Sequence, residues 1–168
     1  MSVLKTCLIL FAVLGAAAGV AAAQANVRVE PARLDGPRPL ADQTAKAAIR
    51  DYLESWQSMT AALDGNRADL LNAGFVGDAH DELAKTIDEQ AKLGIRTRYQ
   101  DRAHDVRIVF YSPEGLSIEL TDSVDYDVQL LDHGKPQATQ TVHARYLVVL
   151  TPDELRWRVR VLEAQPDE

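Results

Sequence analysis

At Gly94 the hydrophobic repeat of this chain switches from helical to extended, and it does not switch back. Upstream, Ile49, Leu53, Trp56, Met59 and Leu63 recur at steps of four, three, three and four, which lines one side of an α-helix. Downstream the step is two. Val106, Ile108 and Phe110 form one such series, and Leu116, Ile118 and Leu120 a second. Val124, Tyr126, Val128 and Leu130 follow, then Val142, Ala144, Tyr146, Val148 and Leu150, then Trp157, Val159 and Val161. Short turns force antiparallel neighbours. The pattern predicts an α+β domain: N-terminal helices packed on one face of a curved antiparallel β-sheet, each the apolar partner of the other.

The boundaries follow from turn chemistry. The first helix is expected from Ala41, with Asp42 as N-cap, and Asp64-Gly65 ends it. Asn66 is read as the cap of a short second helix through Leu71, which Gly74 and Gly77 break. Asp78 is read as the cap of a third, with Leu83, Ile87 and Ala91 on one face and Gly94 just past its end. Ser112-Pro113-Glu114-Gly115 suits a type I turn; Asp132-His133-Gly134-Lys135 and Thr151-Pro152-Asp153-Glu154 are the other two loops. The run from Leu116 to Leu131 is long for one strand and is expected to bend near Asp122-Ser123.

The N-terminus reads as an address. Lys5 precedes an apolar run from Cys7 to Val20, and Ala21-Ala22-Ala23 offers small residues for cleavage before Gln24. Residues 1–23 are therefore expected to be a signal peptide, and the mature chain to be exported, periplasmic or secreted. Residues 24–40, with Pro31, Pro37 and Pro39, read as an extended tether in which only Asn26 to Val29 suggests a short strand. The domain proper is placed at 41–164, with 165–168 as a tail. Cys7 is the single cysteine and leaves with the leader, so no disulfide or thiolate site is expected. A net charge of −7 disfavours nucleic acid and anionic lipid as partners. No second stretch is apolar enough for stable membrane insertion after cleavage.

Motifs of known chemistry are sparse. No Gly-rich loop and no Gly-x-Ser-x-Gly elbow is present. His80, His104, His133 and His143 lack the spacing of zinc ligands, so neither a metal nor a cofactor is expected; His80 is the histidine placed nearest a pocket. Trp56, Tyr126, Tyr146 and Trp157 are the candidate pocket or core aromatics. Arg156, Arg158 and Arg160 alternate along the last strand as a candidate interface stripe, with cross-strand pairing to Asp125, Asp127 or Glu119 as the plainer account.

The order of elements resembles the nuclear transport factor 2-like superfamily, the cystatin-like cone fold, over Ala41 to Ala164. The resemblance rests on Tyr52 and Trp56 in a long first helix and on Ala61-Ala62-Leu63-Asp64-Gly65-Asn66 at its end. It rests also on Ala144-Arg145-Tyr146-Leu147-Val148-Val149-Leu150 and on Leu155-Arg156-Trp157-Arg158-Val159 as closing strand. It implies a sheet wrapped around the long helix with a pocket at its open end. Members that are isomerases pair an Asp base with a Tyr donor, which draws attention to Asp125, Tyr126 and Asp127. Strand alternation turns Tyr126 away from both aspartates, so no acid–base pair is expected there. The expected function is that of an exported non-catalytic binding or interaction domain, for a protein partner, a second copy through the outer sheet face, or a small apolar ligand. The alternative is a cofactor-free isomerase or hydratase-like enzyme working in the cone.

Overall fold

The computed structural model describes residues 25–32, 34 and 38–166. The expected leader, residues 1–23, lies outside them, as do Gln24, part of the expected tether and the last two residues of the tail.

The described chain forms β1 (Asn26–Val29), α1 (Asp42–Gly65), a 3-10 turn (Ala68–Leu71), α2 (Gly77–Leu93), β2 (Ile95–Tyr111), β3 (Ile118–Asp132), β4 (Lys135–Pro152) and β5 (Trp157–Gln165). All strands join one sheet in the order β1-β2-β3-β4-β5. β2 to β5 make an antiparallel meander, and β1 adds to its edge in parallel, Asn26–Val29 beside Ala103–Val106. The α+β architecture is thus the expected one. The short strand suggested at Asn26 to Val29 forms as β1, where two β-branched valines meet an open stretch of β2.

α1 buries Ala48, Tyr52 and Trp56, a four-residue step, together with Met59 and Leu63. They pack on Val106 and Ile108 of β2, Ile118, Leu120 and Val124 of β3, and Val148 and Leu150 of β4. Each large apolar side chain so enclosed contributes about 1.5–3 kcal/mol. Ile49 and Leu53, expected on the same face, sit half-buried at its flank.

The expected caps are displaced, by one residue at α1 and by two at α2. Ala41 and Val76 hold the N-cap positions without a side-chain bond, and Asp42 and Asp78 fall in the first turns, where their charge meets the positive helix end. Asn66 closes α1 rather than opening the next helix. It takes a left-handed conformation (φ 51°) that Asn tolerates, and its Nδ2 donates to Ile95 O at 2.8 Å. Gly94 ends α2 at φ 71°, with His133 so close that a Cβ would lie 2.7 Å from its ring. The chain enters β2 at the next residue, earlier than the apolar series from Val106 suggests.

Bulges correct three other expectations. A register shift between Ile108 and Phe110 adds one residue to β2, so Tyr111 instead of Phe110 reaches the core. A shift at Arg160 on β5 places Leu162, not Val161, opposite Val148. β3 keeps its register through Asp122-Ser123, where a bend was expected; the irregularity lies across from Asp125-Tyr126, at Arg102 of β2. Leu116 falls outside β3 and is exposed. The outer edge of β5 is covered by Gly74–Val76, through Val76 N to Val159 O at 2.9 Å and Val159 N to Gly74 O at 2.8 Å. That loop needs glycine at 74, because a Cβ there would meet Ser55 Oγ of α1 at 2.5 Å.

Candidate functional site

The inward positions of β3 run Ile118, Leu120, Asp122, Val124, Tyr126, so strand parity drives a carboxylate into the core. Asp122 is fully buried. Its Oδ2 accepts from Tyr52 Oη of α1 and from His104 Nδ1 of β2, both at 2.7 Å. His104, itself buried, occupies the same inward parity as Val106 and Ile108. Asp101 Oδ2 stands 4.0 Å from His104 Nε2, beyond hydrogen-bond reach, and acts on the ring as a charge. Burial pulls the imidazole pKa down, but the Asp101 and Asp122 carboxylates outweigh it and carry the value from 6.5 up to about 9. His104 is therefore a cation at neutral pH. Burial, reinforced by Asp122, pushes the Tyr52 phenol well above its ordinary value and keeps it a donor.

Aromatic rings close around this trio. Trp56 meets His104 edge-on at 5.3 Å between centroids, Tyr146 at 5.3 Å and Tyr126 at 6.2 Å. Tyr126 and Tyr146 share a hydrogen bond at 3.2 Å, and Tyr99 leans against Tyr126 with the rings tilted by 43°. Burial lifts the Tyr99 phenol to about 12. Of the four aromatics singled out in the sequence, Trp56, Tyr126 and Tyr146 come together. Trp157 stands apart at the start of β5, where its backbone N–H donates to the buried Asp51 Oδ2 at 2.8 Å. Three buried polar atoms in this region lack a partner among the described residues: Trp56 Nε1, Asp101 Oδ1 and Asp122 Oδ1.

Two hollows flank the cluster. One, of about 310 Å³, is lined by Trp56, Gln57, Leu53, Asp101, His104 and the N-terminal end of β1. The other is a shallow trough of about 550 Å³ running between β1 and α1, with Val29, Ile49 and Leu53 as floor and Lys46, Arg50 and Glu54 at the rim. Val27 and Val29 remain 43% and 53% exposed on β1.

The other sequence candidates lie elsewhere. Asp125 and Asp127 face outward, Asp125 to His143 Nδ1 at 2.6 Å and Asp127 to Thr141 Oγ1 at 2.7 Å and Arg102 Nε at 3.0 Å. The Thr141 and Arg102 bonds hold Asp127 below the usual carboxylate range. Tyr126 points away from both. His80, expected nearest a pocket, bonds Asp81 and Asn72 at the start of α2; His104 holds the position expected of it. Arg156 and Arg158 do not pair with Asp125, Asp127 or Glu119. Arg156 reaches Glu54 of α1. Arg158 donates to Asn72 O at 2.7 Å, Phe75 O at 2.8 Å and Asp153 Oδ2 at 3.1 Å. Arg160, on the bulge, is exposed. Among the described residues, no three His, Cys, Asp or Glu side chains are grouped as a metal would need.

No family model and no curated protein sequence matches the chain. Solved structures do. The intermembrane space region of the chloroplast protein ARC6 aligns over 77% of this chain and 100% of its own length, with a TM-score of 0.65 at 14% identity. A Novosphingobium aromaticivorans protein named for scytalone dehydratase aligns over 75% and 89%, with a TM-score of 0.53 at 16% identity. The fold is the nuclear transport factor 2-like cone. A second N. aromaticivorans protein, named for an aromatic ring hydroxylase, aligns over 75% and 96% with a TM-score of 0.50 at 15% identity. At such identities the likeness is one of fold, and the cone hosts both an organelle-envelope domain and proteins named as enzymes.

Proposed function

We propose that the chain is a non-catalytic binding domain whose working surface is the trough between β1 and α1, and that it accepts an extended apolar segment of a partner protein there. The observation that carries this reading is the exposure of Val27 and Val29 on an edge strand beside Ile49 and Leu53. An added strand would pair with the free side of β1 and set alternate side chains into the trough. The titratable groups inside the cone support a non-catalytic role, since Tyr52 and His104 are bonded to Asp122 and Tyr126 to Tyr146. A short blocked peptide of alternating valine and threonine is the probe. It is expected to shift the amide resonances of Asn26–Val29 at about millimolar concentration, and Val29→Lys to weaken it about tenfold. Unshifted β1 amides, or equal binding by the variant, would refute the trough.

One observation favours a second reading, a hydratase-like enzyme. His104 Nε2 and Asp101 border the 310 Å³ hollow, so a protonated imidazole and a carboxylate face the same space. His104 would give its proton to a departing hydroxyl and Asp101 would take a carbon-bound proton, the substrate losing one water. Loss of deuterium exchange into a small cyclic hydroxyketone on Asp101→Asn, with the fold retained, would support it; no exchange by the parent protein would end it. Export is part of the first reading. No helix among the described residues is long and apolar enough to cross a membrane. Mass spectrometry of the protein from the envelope should find Gln24 at the N-terminus.

A further inference from the structure

β4 carries an edge that nothing in the described chain covers. β5 pairs only with Arg145–Pro152, so Lys135 to Ala144 has β3 on one side and no strand on the other. Two other stretches of edge are treated differently. Gly74–Val76 covers β5, and Asn66 Nδ2 ties Ile95 O at the start of β2. An open edge is ordinarily guarded by charge. Here Pro136, Gln137, Ala138, Thr139, Gln140, Thr141 and Val142 carry none, and Lys135 to Thr141 are exposed on both faces of the ribbon.

We propose that this edge pairs antiparallel with the same edge of a second copy, joining two sheets into one across a two-fold axis normal to the sheet. The pleat restricts the register. Such an axis keeps each residue on its own face, so opposed residues must share parity and the axis must pass beside a residue, not between two. Centring on Thr139 fills the edge best. Thr139 then faces Thr139 of the second copy, Gln137 faces Thr141, and Ala138 faces Gln140. Lys135 faces His143, whose Nδ1 already holds the Asp125 carboxylate at 2.6 Å. Uncharged residues thus meet along the middle, Pro136 facing Val142 at its ends, and each terminal lysine faces a histidine already bound to an acid on the next strand. That self-match selects a second copy over an unrelated strand. It also lets two chains of net charge −7 meet along their least charged line.

Charge at the axis tests it. Opposed like charges on paired strands repel, and opposite charges attract. In sedimentation equilibrium the parent protein should form a concentration-dependent dimer. Thr139→Lys and Thr139→Glu should each be monomeric at the same loading while keeping the parent circular dichroism, and an equal mixture should restore the dimer. Amide exchange of residues 135–143 should slow in the dimer. A parent protein that stays monomeric up to about millimolar concentration, a dimer that both variants retain, or a mixture that fails to reassociate although both variants are folded would each overturn the proposal. The β1 trough is remote in the strand order, so peptide binding there is unaffected by either outcome.

Discussion

His104 should make the stability of this protein fall with rising pH across the neutral range. Its folded pKa, about 9, stands above the 6.5 of an exposed imidazole, so the folded state holds the proton more tightly. The sign follows: the stabilisation is fully present below pH 6.5 and is lost as pH rises through 9. Over that window the folded chain binds one more proton than the unfolded, so each pH unit removes at most about 1.4 kcal/mol. The gap between 6.5 and about 9 then amounts to about 3 kcal/mol, an upper figure because solvent at the hollow partly screens Asp101. The charged neighbours that set it are Asp101 on the same strand and Asp122 on β3, with the Tyr52 hydroxyl on α1. Urea unfolding at intervals from pH 6 to pH 9 measures the slope, and His104→Gln, which keeps a donor but not the charge, should flatten it. Parallel slopes in the two proteins would show that the imidazole is not the group responsible. Titration of the His104 ring proton by NMR at an ordinary histidine value would refute the electrostatics directly.

Three further outcomes test the packing. Tyr52→Phe removes a buried donor from Asp122 and should cost about 1.5–3 kcal/mol in urea unfolding. Gly74→Ala should destabilise by about 1–3 kcal/mol, because its Cβ meets Ser55 Oγ at 2.5 Å and Ser55 Cβ at 2.8 Å. Pairing it with Ser55→Gly should recover part of the loss, a non-additivity that a double-mutant cycle reads. Arg158→Ala leaves the carbonyls of Asn72 and Phe75 without their guanidinium and should cost about 1–3 kcal/mol, with faster amide exchange at Val76 and Val159.

Much of the fold could be read locally. The step of the apolar residues marks α1 and the meander, and Gly94 punctuates them, because a helix or strand writes its own period into neighbouring residues. The buried charge was also written there. Asp122 stands on the apolar parity between Leu120 and Val124, and His104 on that of Val106 and Ile108. Taking the polar pair Asp122-Ser123 as a bend hid that signal. Trp157, the fourth candidate pocket or core aromatic, is a core residue, buried at the far edge of the sheet from β1.

What the linear chain could not state is which inward residues meet. Bulges at Arg102, Val109 and Arg160 each advance a strand by one residue and exchange its two faces, so Tyr111 is buried in place of Phe110, and the half-buried Leu162 packs on the core in place of Val161. Tyr52, His104 and Asp122 come from three elements, the tyrosine and the aspartate 70 positions apart, and only the pairing of β2 with β3 beneath α1 brings them to 2.7 Å. Period is a property of adjacent bonds, whereas register is settled by contacts between distant segments, and the buried cluster depends on register.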